Sequence, residues 1–170
     1  MDYLQHQLVA EIPALRRYAY VLTRDRESGD DLVQDTLERA WKYIDSWQKN
    51  SYFRAWLFTI MRNLYLNGRR KEKNAPSTVN MDEVQELVDH RHSHDMPVQL
   101  EELQQFIMQL PLNQREVVTL VAVEGMSYRE VAQILDLPIG TVMSRLHRGR
   151  EGLRSRGFAE PEITLTRRVK

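Results

Sequence analysis

The sequence contains no cysteine, which excludes disulfides, thiolate catalysis and cysteine-ligated zinc. No run of about 20 apolar residues occurs, so no membrane-spanning helix is expected. Met1 to Ala10 carries no basic cluster ahead of an apolar core. A secretory signal is therefore not expected, and the expected compartment is the cytoplasm. Lys and Arg number 24 against 24 Asp and Glu, and a balance of zero does not by itself argue for nucleic acid. There is no glycine-rich phosphate loop and no nucleophile–base pattern, and the paired carboxylates fall on helices expected to be exposed. An enzyme is not expected. The alternating His90, His92 and His94 are the one candidate metal cluster. Nothing beside them fixes a geometry, so neither a metal nor a cofactor is expected.

What the net charge conceals is its distribution. Lys49, Arg54, Arg62, Arg69, Arg70, Lys71 and Lys73 face only Glu72 in their stretch, and Arg145, Arg148, Arg150, Arg154 and Arg156 face only Glu151. Acid collects instead from Asp25 to Glu38 and from Asp82 to Glu102. Separate blocks of opposite sign suggest several partner surfaces.

The apolar spacing is helical throughout, with no convincing strand. Ile12, Leu15, Tyr18, Ala19 and Leu22 predict an amphipathic helix with Pro13 in its first turn. Ser28 or Asp30 can cap a second helix running to about Ile44. Leu32, Val33, Leu37, Ala40, Trp41 and Ile44 turn inward there, and Asp31, Gln34, Asp35, Glu38 and Arg39 outward. A loop, Asp45 to Ser51, leads to a third helix from about Tyr52 to Lys71, with Phe53, Trp56, Leu57, Ile60 and Leu64 inward. Aromatic rings beside arginines in this region suit unpaired bases, which stack on ring faces. Periodicity fades from Glu72 to Pro97, apart from a brief helix expected over Met81 to Val88. Leu100 to Leu110 and Asn113 to Val123 then predict two more helices. The expected fold is all-α: two small helical bundles, residues 1–71 and 98–156, joined by a flexible linker at 72–97 and followed by a tail at 157–170.

The most informative stretch is Ser127 to Arg150. Ser127 and Glu130 make a capping box, and Val131, Ala132 and Leu135 form the apolar face of the helix that follows. Asp136 stands at the turn, where aspartate tolerates the left-handed conformation better than most residues. Pro138 can open a second helix. Val142 and Leu146 face inward there, leaving Thr141, Ser144, Arg145 and Arg148 outward. This is a helix-turn-helix whose basic second helix suits a DNA major groove.

These motifs resemble a known family. Asp30-Asp31-Leu32-Val33-Gln34-Asp35-Thr36 followed by Ala40-Trp41 resembles the core-binding helix of sigma region 2. Phe53-Arg54-Ala55-Trp56-Leu57 through Leu64 resembles the promoter-melting part of the same region. Leu110-Pro111-Leu112-Asn113-Gln114-Arg115-Glu116-Val117, Glu124 to Ala132 and Gly140 to Leu146 resemble sigma region 4. In this order they are similar to the extracytoplasmic-function (ECF) sigma factors of the sigma-70 family, over about residues 10–71 and 98–155.

The resemblance implies a factor that binds core RNA polymerase and directs transcription initiation at specific promoters. Asp31, Gln34, Asp35 and Glu38 would meet the clamp helices of the β′ subunit, and region 4 the β flap. Trp47, Lys49, Asn50, Tyr52, Phe53, Arg62 and Asn63 would capture the unpaired strand of the −10 element. Arg129, Thr141, Ser144, Arg145 and Arg148 would read the −35 element. The acidic linker would thread the nucleic-acid channel of the polymerase. An anti-sigma factor, often membrane-bound, would hold the factor inactive, at the inner face of the membrane where that partner is anchored. No small-molecule substrate is implied. Met143 departs from the family pattern, which commonly has lysine there. Two other readings compete: a stand-alone helix-turn-helix regulator, and a sigma mimic that titrates an anti-sigma factor.

Overall fold

Helix α1 (Asp2–Thr23) starts a full turn and more ahead of the predicted apolar pattern, so Pro13 lies inside it and not in its first turn. Leu8 supplies the reason: it is buried in the same core as Leu15 and Leu22, which anchors the turns before the proline. A computed structural model of the protein describes residues 2–47, 52–74 and 98–158. The expected helix over Met81 to Val88, the His90/His92/His94 cluster and the linker sequence from residue 75 lie outside the described residues.

Helix α2 (Arg26–Tyr43) is capped by Asp25, not by Ser28 or Asp30. The Asp25 carboxylate accepts from the Ser28 backbone N–H at 2.8 Å and from its hydroxyl at 2.6 Å. Those bonds hold the Asp25 carboxyl below its ordinary pKa, the hydroxyl contributing most. Folding lowers this pKa, so the cap supports the fold above the unfolded carboxyl range and fails as the pH falls through the folded one. Leu32, Val33 and Ala40 are buried as their spacing predicts, but Trp41, expected inward, is half exposed. A 3₁₀ turn over Ile44–Ser46 ends the helix, and α3 (Phe53–Asn74) closes a three-helix bundle around Leu57, Phe58 and Met61.

The second bundle comprises α4 (Val98–Met108), α5 (Leu112–Val118), α6 (Tyr128–Leu135) and α7 (Ile139–Ser155). α5 continues into a π-helical turn, Thr119–Val123, closed by the Glu124 N–H on the Thr119 carbonyl at 2.9 Å. Phe158 bonds back to Leu153 and packs its ring 5.4 Å from Phe106, so the bundle extends two residues into the expected tail.

The helix-turn-helix is built as its sequence predicts. The Ser127 hydroxyl accepts from the Glu130 N–H, the Glu130 carboxylate accepts from the Ser127 N–H at 2.8 Å, and Asp136 takes the left-handed conformation at φ 52°. Ser127→Ala therefore costs about 1 kcal/mol, and thermal melting followed by circular dichroism should fall by roughly 2–4 °C for a chain of this size. An unchanged melting curve would show that the cap contributes nothing.

The two bundles do not stand apart. α1 packs on α5, and α3 packs on α6. The sequence predicts two modules on a linker because each has its own apolar periodicity; the charged hydrogen bonds that cross between them leave no periodic trace.

Candidate nucleic-acid interface

The α7 surface is open. Val142 and Leu146 point into the core, while Ser144 and Arg148 are exposed and Thr141 and Arg145 partly so. The Arg148 guanidinium lies 3.5 Å from the Ser144 hydroxyl, one turn away. Arg129, on α6, is exposed as well. Met143 and Ile139, at 51% and 43% exposure, add an apolar strip to this basic face.

On α2, Asp31, Gln34, Asp35 and Glu38 are all exposed, at spacings that recur every three or four residues and so share one helical face. The Gln34 amide donates to Glu38 at 3.0 Å, which orders the end of that face.

The third predicted surface is divided. Tyr52 is 64% exposed, and Asn63 is exposed on α3. Phe53 is a core residue at 8% exposure, its ring held edge-on to Trp47 at 5.2 Å and tilted against Trp56 at 5.7 Å. It supports the aromatic group instead of presenting a free face. Trp47 is partly buried by that contact. Lys49 and Asn50 lie outside the described residues.

Arg62 is engaged elsewhere. Its Nε donates to Glu116 Oε1 on α5 at 3.0 Å, and the same oxygen accepts from the Tyr18 hydroxyl at 2.9 Å. Tyr18 is fully buried, and burial first, then the Glu116 charge, pushes its phenol well above the ordinary pKa. It remains a donor at any physiological pH.

A second carboxylate, Glu124, lies beyond the π turn. It accepts from Arg17 Nε at 2.7 Å and Nη2 at 2.9 Å, a bidentate pair, and from Arg54 Nη2 at 2.6 Å. Arg54 Nη1 also donates to the Glu124 backbone carbonyl at 2.6 Å. Arg54 Nε lies 2.8 Å from Glu11, although without hydrogen-bond alignment. The bond to Glu124 raises the Arg17 pKa. Nearby Arg115 is 4% exposed, its Nε lacks a partner, and its Nη1 reaches only the Met108 carbonyl at 3.4 Å. Burial pushes it down to about 10, with the Arg24 charge adding to the effect.

Sequence reasoning missed Arg17, Arg54, Glu116 and Glu124 as a group. Their contacts span 54 to 107 residues of chain, and no local pattern announces a pairing at that distance.

Comparisons with known proteins cover both bundles. Residues 8–62 match the family model described as the Sigma2 domain of PhyR, and residues 100–153 match Sigma-70, region 4. The ECF RNA polymerase sigma factor EcfG of Rhodopseudomonas palustris is 36% identical over 152 residues, covering 89% of this chain and 83% of that protein. SigW, an ECF sigma factor of Bacillus subtilis, is 34% identical over 79% of this chain and 78% of its own length. Among solved structures, the sigma factor RpoE bound to the anti-sigma factor NepR from Bartonella quintana superposes with a TM-score of 0.70 at 31% identity. That match covers 91% of this chain and 96% of RpoE.

Proposed function

The chain belongs to the extracytoplasmic-function RNA polymerase sigma factors, and from that premise we propose how its surfaces divide the work of initiation. It binds core polymerase and promoter DNA, and an anti-sigma factor controls it. The observation that carries the reading is the coexistence, on one chain, of an open basic face on a capped helix-turn-helix and an exposed acidic face on α2.

The acidic face, Asp31, Gln34, Asp35 and Glu38, docks on a basic surface of the polymerase. Docking supplies affinity that a chain of zero net charge would not have for DNA alone. Tyr52 stacks on an unpaired base of the −10 element, braced by the Trp47–Phe53–Trp56 rings, and Asn63 contacts the same strand. One base leaves the stack at a cost of a few kcal/mol, which stacking and phosphate contacts offset. Arg145 and Arg148 supply base-edge and phosphate contacts to the −35 element, together with Thr141, Ser144 and Arg129. Met143 takes an apolar role there, such as contact with a thymine methyl.

No described helix is long and apolar enough to cross a membrane. Retention at the inner face of the membrane would therefore come from the anti-sigma partner.

Run-off transcription with core polymerase tests the reading, because a sigma mimic or a stand-alone regulator would not initiate. Arg145→Ala and Arg148→Ala should each lower initiation roughly tenfold at promoters requiring the −35 element, in line with about 1–3 kcal/mol per good base contact. Wild-type rates in both variants at such promoters would refute the recognition-helix assignment.

A further inference from the structure

Two cations meet at the end of α4, and no acid meets them. Arg24 follows α1 directly and takes the left-handed conformation at φ 60°, which disfavours most side chains. Its Nη2 donates to the Met108 carbonyl at 2.8 Å. Arg115, on α5, reaches the same carbonyl through Nη1 at 3.4 Å. Met108 is the last residue of α4, where carbonyls have no partner within the helix and attract cations.

Capping accounts for one arginine, not for two. The Arg24 bond is of ordinary length, whereas 3.4 Å is long for an N–H donor. Arg115 is 4% exposed, and its Nε has no partner. Among the described residues neither guanidinium is hydrogen-bonded to a carboxylate. The adjoining acids are committed elsewhere: Asp25 caps α2 through Ser28, and Glu116 holds Arg62 and Tyr18. Burial, then the Arg24 charge, lowers the Arg115 pKa, so the two cations act on each other directly. A buried cation without a countercharge is costly, and a second cation beside it adds repulsion.

The geometry leaves room for the missing charge. Both donor nitrogens lie on one oxygen, so they are at most about 6 Å apart. A phosphate group that accepts from each side at about 2.8 Å, through two of its oxygens, spans that gap. Arg24 is exposed and gives the site a face to solvent. Tyr65 and Tyr20, both half-buried, stand near enough to act on the Arg115 charge.

We propose that Arg24 and Arg115 form an anion site for a phosphate dianion, taken as inorganic phosphate or as the terminal group of a phosphate monoester. Planar guanidinium forks match phosphate oxygens, and a dianion balances two cations. The anion replaces repulsion with bridging bonds and supplies the acceptors that Arg115 lacks. It ties the end of α1 to α4 and α5. The site uses no residue assigned to polymerase or promoter, and it stands apart from the sigma-factor reading.

Thermal melting of the full chain at constant ionic strength, with about 10 mM sodium phosphate against sodium chloride, tests the site. A Kd of about 1 mM raises the folded-to-unfolded ratio about tenfold at that concentration. The melting temperature should then rise by roughly 3–6 °C, and titration calorimetry should give one phosphate per chain. Arg24→Gln keeps a donor for the Met108 carbonyl but removes the charge. It should melt within about 2 °C of wild type in chloride and lose the response to phosphate. Arg115→Gln should lose that response too; should it fail to fold, the exposed Arg24 decides. O-phosphoserine in place of inorganic phosphate separates the sources: an equal or larger rise assigns the site to monoesters, a smaller one to free phosphate.

No rise in wild-type protein would overturn the site. So would an equal rise in wild type and Arg24→Gln, which is exclusion of the ion from the protein surface. A large loss of stability for Arg24→Gln in chloride, with no phosphate response in wild type, would leave Arg24 as a cap on α4 and nothing more.

Discussion

Gly149→Val should lower the melting temperature by roughly 6–12 °C and remove −35-dependent initiation together. α7 crosses α5 at this glycine, and a Cβ placed there would lie 2.5 Å from Val118 Cγ2 and 3.6 Å from Gln114 Cβ. Val118 is buried and β-branched, with few rotamers to retreat into. Overpacking costs about 1–3 kcal/mol for small insertions, and valine sits at or above the top of that range. At ~2–4 °C per kcal/mol the melting shift follows. α7 must move away to relieve the clash, carrying Arg145 and Arg148 with it. Gly149→Ala should be milder, since alanine regains up to about 1 kcal/mol of helix propensity. Gly68, also helical, has nothing within 4 Å of the position a Cβ would take; Gly68→Ala should raise stability by about 0.5–1 kcal/mol. A valine variant that melts within a degree of wild type would show that α5 and α7 tolerate separation.

Reversing charge on the α2 face should abolish polymerase docking without unfolding the protein. Asp31→Arg with Asp35→Arg replaces two exposed carboxylates by cations facing a basic partner. Truncating one member of a buried interfacial charge pair costs about 2–5 kcal/mol, and reversal adds repulsion. The Kd for core polymerase, measured by competition against labelled wild-type protein, should rise at least a hundredfold while the melting temperature stays within about 2 °C. Competition at the wild-type Kd would move the docking surface off this face.

The fold is legible where local chemistry decides it. Ser127, Glu130, Asp136 and Pro138 act within their own turn, so the helix-turn-helix can be written residue by residue. The inward stripes of α2 and α3 follow from spacing, with Leu32, Val33, Phe53 and Leu57 buried as read. Trp41 escapes the pattern because spacing fixes only the side of a helix, not whether a neighbour is there to cover it. Phe53 reads as inward from its spacing and as a −10 contact only from the family resemblance; its ring is buried and completes an aromatic cluster with Trp47 and Trp56. Glu124 reads only as the start of a stretch, Glu124 to Ala132, that resembles sigma region 4. Its role depends on Arg17 and Arg54, whose distance along the chain leaves no periodic trace.

The π turn at Thr119–Val123 sets an angular phase. Successive residues of a regular α-helix advance by about 100°, so two side chains eight apart diverge by about 80°. A π turn absorbs one extra residue, and the separation then behaves as seven, which closes two turns to within about 20°. Glu116 and Glu124 are thereby brought to one side of their segment, where a single row of arginines can meet both. One residue's worth of winding fixes which way the second acid points.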